Sequence, residues 1–91
     1  MSTEQLFEHA RQGSLIKLGQ LAGGGADLSV KDADGMTALM HACAAGGHRI
    51  VKMLLKTGAD SSLTDNNGKT AQSYAEASGN AKSLKHLSRL G

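Results

Sequence analysis

Proline and tryptophan are absent from this 91-residue chain, and cysteine, phenylalanine and tyrosine occur once each. Each scarcity excludes something. With aromatics at 2 %, the core has to be built from Leu, Ile, Val, Met and close-packed Ala and Gly. That suits thin helices stacked at short distance and suits no large ligand cavity. A lone Cys43 cannot support an intramolecular disulfide framework, which favours a reducing compartment. No apolar run approaches the roughly 20 residues that span a bilayer. The N-terminal Met-Ser-Thr-Glu-Gln has neither the basic start nor the apolar core of a signal peptide. The expectation is a soluble intracellular protein, cytoplasmic by default. Charge of one sign is also scarce: the net charge is +2, the pI is near 8.9, and the charges are interspersed along the chain. With Phe7 and Tyr74 as the whole aromatic complement, a basic face with stacking rings for nucleic acid is not expected. At this length the chain is one domain, burying roughly two thirds of its unfolded surface.

What the chain does have is periodicity. Moved 33 residues forward, Asp32, Gly35, Thr37, Ala38, Ala42, Ala44, Gly46, Lys52, Leu54 and Gly58 find identical partners from Asp65 to Gly91. Moved 33 residues back, Leu39, Gly46, Leu54, Gly58, Ala59, Asp60 and Ser62 match residues from Leu6 to Ser29. A fixed period of this length marks a stacked-repeat architecture.

Each repeat reads as two short helices and a turn. Ser2 with Gln5 fits a capping box, and Leu6, Phe7 and Ala10 give a helical face that ends at Gly13. Leu15, Leu18 and Leu21 form one stripe of a second helix, stopped by Gly23-Gly24-Gly25. Leu28 and Val30 alternate with polar residues, as a short extended arm does. Asp32-Ala33-Asp34-Gly35 is a turn signal, and the Thr37 hydroxyl is a natural cap for the next helix, which points Leu39, Ala42 and Cys43 inward. Ile50, Val51, Met53, Leu54 and Leu55 predict the most buried helix of the chain. Asp65-Asn66-Asn67-Gly68 repeats the turn, followed by helices over 70–78 and 81–90. There Gln72, Ser83, His86 and Ser88 stand where the middle unit has Leu39, Ile50, Met53 and Leu55. A terminal unit needs such a polar outer face to stay soluble. Helices this short do not persist alone in water and must pack on one another.

The pattern Asp-x-x-Gly-x-Thr-Ala-Leu, followed by Ala42, Gly46, Val51, Leu54-Leu55 and Gly58-Ala59-Asp60, resembles the ankyrin repeat. The resemblance covers essentially the whole chain. It implies an N-terminal cap unit over 2–31, a full repeat over 32–64 and a C-terminal cap unit over 65–91. The implied fold is an all-α solenoid of helix–turn–helix pairs joined by β-hairpin-like turns. The family's usual Thr-Pro-Leu-His is Thr37-Ala38-Leu39-Met40 here and Thr70-Ala71-Gln72-Ser73 one unit on. The proline start and the histidine that braces the hairpin are therefore missing, and fraying is expected first in the third unit.

In this family the concave surface of turn tips and first helices usually binds other proteins. On this sequence the resemblance assigns that surface to Arg11, Gln12, Lys31, Ala33, Asp34, Met36, Ala44, Ala45, Thr64, Asn66, Asn67, Lys69, Ala77 and Ser78. His41 and Tyr74 share one repeat position beside it. A few of these residues are expected to dominate binding.

Other chemistry is weakly supported. Gly68-Lys69-Thr70 resembles the tail of a phosphate-binding loop, but Leu63 stands where that signature needs glycine. Asp32-Ala33-Asp34-Gly35 begins like a calcium loop and lacks the later acidic ligand. His41 and Cys43, two apart on one helix, point away from each other, and Cys43 is a packing thiol. His9, His48 and His86 have no metal-ligand spacing. Lys82, Lys85, His86 and Arg89 on the last helix suit the end of a helix, or a weak anionic docking face. No catalytic residue, cofactor or metal is assigned. The sequence favours a monomeric protein-binding module, an adaptor or a competitive inhibitor, over a self-associating structural repeat or a small enzyme.

Overall fold

The computed structural model describes residues 3–90, so the expected Ser2 cap lies outside the described residues. Six helices follow in order: α1 (Thr3–Gln12), α2 (Leu15–Gly23), α3 (Ala38–Ala45), α4 (His48–Lys56), α5 (Ala71–Ala77) and α6 (Ala81–Leu90). There is no strand among the described residues. Local chemistry sets the boundaries. The Thr37 hydroxyl accepts the Met40 N–H at 3.3 Å, opening α3. Thr70 does the same for α5, and Ser73 completes a capping box by accepting the Thr70 N–H. Gly46 adopts φ 80°, a left-handed conformation that lets α3 end and α4 turn back at once.

The helices form two layers. In one, α3 lies between α1 and α5; in the other, α4 lies between α2 and α6, and each first helix packs on its own second helix. The core runs through both layers, from Leu6, Phe7 and Ala10 through Leu39, Met40, Val51 and Leu54 to Ala71, Ala75 and Leu87.

Four expectations need correction. The most enclosed helix is α3, not α4: every residue from Ala38 to Cys43 is buried, against Ile50, Val51, Leu54 and Leu55 in α4. The reason is position, since α3 has α1, α5 and α4 around it, while α4 keeps an outer side. On α2 Leu18 is buried and the half-buried Leu21 packs against the core, but Leu15 is exposed, so the first residue of the stripe lies off the core. Leu28 and Val30 do not form an extended arm. Asp27 accepts the Ser29 N–H at 2.9 Å and curls the chain there, and Asp60 accepts the Ser62 N–H at 2.8 Å one repeat later. In the third pair Gln72 and Ser88 are exposed and His86 half-buried, but Ser83 is fully buried at the repeat position of Ile50.

Folding also gathers charges that the sequence intersperses. Arg49, Lys52, Lys56, Lys82, Lys85 and Arg89 line one groove across α4 and α6, six of the ten Lys and Arg residues of the chain. The candidate site lies apart from this groove, at the turn tips braced by the first helices.

Candidate functional site

Each turn tip is organised by one aspartate. At the first tip the Asp32 N–H donates to the Met36 carbonyl at 3.0 Å, and the Gly35 N–H to the Asp32 carbonyl at 3.0 Å. One carboxylate oxygen of Asp32 accepts the N–H groups of Asp34 and Met36, both at 2.9 Å. Asp65 does the same one repeat on: one oxygen accepts the N–H groups of Asn67 at 2.8 Å and Lys69 at 2.9 Å. The acid that first suggested a calcium loop is thus spent on holding its own turn.

The second oxygen of each aspartate is braced from the first helix behind it. His41 Nε2 lies 2.7 Å from Asp32 Oδ2, and the Tyr74 hydroxyl donates to Asp65 Oδ2. The bracing histidine that the sequence lacks at Met40 is therefore replaced one residue later. Met40 itself is buried. Burial pushes the Asp32 carboxyl up, but the Met36 N–H, the His41 ring and the Asp34 N–H together hold it below its ordinary value. The Tyr74 hydroxyl, followed by the Lys69 N–H, holds the Asp65 carboxyl below its ordinary range. That same bond pushes the Tyr74 phenol up to about 12.

The two tips are tied to each other. The Asn66 N–H donates to the Asp34 carbonyl and its side-chain amide to the Ala33 carbonyl, both at 3.1 Å. The Lys31 ammonium donates to the Thr64 carbonyl at 2.7 Å. The approach is so close that a Cβ on Gly35 would stand 2.5 Å from Asn66 Oδ1 and 2.8 Å from Asn66 N. Gly35 also has φ 78°, so this glycine answers two requirements at once.

These bonds sort the expected surface residues. Arg11, Gln12, Ala33, Asp34, Ala44, Ala45, Asn67, Lys69 and Ala77 are exposed and form the accessible rim. Met36 and Tyr74 are half-buried. Lys31, Thr64 and Asn66 are exposed but engaged in the ties between tips. Ser78 reaches back, its hydroxyl donating to the Cys43 carbonyl at 2.9 Å. His41 is only 9 % exposed and packs 5.5 Å from the Phe7 ring, so it acts from beneath the surface. Sequence reasoning missed Glu4 and Glu8, which with Phe7, Arg11 and Asp34 line a hollow of about 290 Å³ between α1 and the first tip. Their four-residue spacing around Phe7 was the available signal. Cys43 is buried, and burial pushes its thiol up to about 12, as a packing residue requires.

A family model described as ankyrin repeats, in three copies, matches residues 6–91. No curated protein matches the chain. Among solved structures, the fold is similar to a chain in the structure of a predatory endopeptidase from Bdellovibrio bacteriovorus in complex with an immunity protein. The two chains share 35 % identity and a TM-score of 0.91 over 100 % of the present chain, which spans 48 % of the matched one.

Proposed function

The chain belongs to the ankyrin-repeat family, and on that premise we propose that it is a protein-binding module whose concave face of hairpin-like tips and first helices seats a protein partner. In this reading 2–31, 32–64 and 65–91 are its three units. One observation carries the proposal: the Asn66 and Lys31 bonds fix one tip against the next before any partner arrives. A rim ordered in advance loses little freedom on binding. Asp34, Asn67 and Lys69 are exposed on it with both signs of charge, which sets specificity more than raw affinity. Competitive inhibition is favoured over an adaptor role because the similar chain comes from a structure that pairs an endopeptidase with an immunity protein. No catalytic residue is part of this reading. The buried Cys43 supports a reducing, cytoplasmic setting.

The test is a double variant, Asp34→Arg and Asn67→Arg, neither of which removes a side chain that braces a tip. Capture from cell extract with the parent chain should recover a partner that the variant loses. Recovery of the same partner by both would overturn the assignment of the face. Light scattering over a concentration series separates this reading from self-association, which would appear as a mass that grows with concentration.

A further inference from the structure

The second-helix layer carries a feature that the partner surface does not use. Between α4 and α6 runs a groove of about 500 Å³, lined by Arg49, Lys52, Lys56, Lys82, Lys85 and Arg89. None of its lining residues is acidic. Among the described residues no carboxylate pairs with any groove cation. His48 and His86 meet inside the groove, their rings stacked with centroids 5.9 Å apart and planes at 26°. Leu15 and Met53 add apolar surface to its wall.

We propose that this groove binds a carboxylate-rich segment of a protein partner, with an apolar side chain of that segment seated against Leu15 and Met53. Charge gives the first argument: several cations facing one cleft attract an anionic chain and raise its association rate. Shape gives the second, because a recess between two helices receives an inserted chain and mates poorly with a flat bilayer. The lining gives the third. Its aromatic rings, His48 and His86, are stacked on each other, it has no phenylalanine, tyrosine or tryptophan on which bases would stack, and its Leu15 and Met53 suit a segment of mixed acidic and apolar residues. Burial, then Lys52, His48, Arg89 and Lys56, hold the His86 imidazole below its ordinary pKa. Carboxylates entering beside the ring would oppose that lowering.

A fluorescein-labelled peptide of Glu-Glu-Leu-Glu repeats, followed by fluorescence anisotropy, provides the test. It should bind the intact chain, lose affinity as salt is added, and bind less well when its leucines are replaced by glycine. Lys52→Gln combined with Lys85→Gln changes two exposed residues at equivalent repeat positions and should weaken binding roughly fivefold or more. Circular dichroism should show the fold of that variant unchanged. The rim variant Asp34→Arg should bind the peptide as the parent does, so failure here is distinct from failure of the tip surface. Absence of peptide binding at low salt, or binding indifferent to Lys52 and Lys85, overturns the proposal. So does tighter binding of oligo-dT or phosphatidylserine vesicles through those same lysines.

Discussion

Asp65 receives the Tyr74 hydroxyl on one carboxylate oxygen, in the place where Asp32, one repeat earlier, meets the His41 imidazole. Two different side chains solve the same problem. Each occupies the spare oxygen of a tip aspartate and couples the turn to the first helix behind it. The chemistry of the two braces differs, and that difference can be measured.

Tyr74 is the chain's only tyrosine, so ultraviolet absorbance reads its titration directly. Its phenol is raised by the bond to Asp65 to about 12, against an ordinary value of about 10. The brace then contributes its full stability below about pH 10 and loses it as pH climbs to the raised value. Asp65→Asn should bring the midpoint back toward about 10. At the acid end the sign reverses. The Asp65 carboxyl is depressed by the same bond, so that stabilisation is present above about pH 4 and fades as pH falls below it. A parent midpoint near the ordinary tyrosine value would mean that the bond is not made in solution.

Gly35 and Gly68 hold equivalent positions with φ 78° and 75°, yet their surroundings differ. A Cβ at Gly68 meets nothing within 4 Å, while one at Gly35 runs into Asn66. Gly68→Ala should therefore lose only the cost of a left-handed residue, about 1–2 kcal/mol. Gly35→Ala should lose more and should also release the hydrogen bonds from Asn66. Urea unfolding of both variants, with amide exchange at Asn66, checks this. Equal losses would show that the tips are not in close register.

Leu54 is fully buried in α4, between the pairs on either side. Leu54→Ala should destabilise the chain by about 2–5 kcal/mol, a large share of the roughly 5–15 kcal/mol that holds a domain of ordinary stability. Ile16, at 77 % exposed, is the matching control. Ile16→Ala should change stability by no more than about 0.5 kcal/mol. Denaturant midpoints of the two variants give the comparison, and similar shifts would refute the placement of the core.

Much of the fold was legible because it repeats along the chain. The offset, the Thr37 and Thr70 caps, and the inward Leu39, Ala42 and Cys43 all follow from local periodicity. What escaped was lateral. The meeting of His48 with His86 depends on how α4 lies against α6, and no spacing within either helix encodes it. Ser83 reads as a polar cap residue in one dimension and becomes buried in three. At the candidate site, the exposure of Asp34, Asn67 and Lys69 follows from their turn positions, while the burial of His41 and the half-burial of Tyr74 do not. A side chain at that register can point out to a partner or down to an aspartate, and only packing decides which.

The basic cleft has a cost for the protein that carries it. Two helices that must adhere along a seam face each other there with cations of like sign, and like charges in one cleft repel. Counter-ions relieve that repulsion, so added salt steadies the unoccupied chain even as it loosens an acidic occupant. The same seam joins the third helix pair to the second. An acidic segment bound across it would act as a clamp, tightening the end of the stack while it is held there.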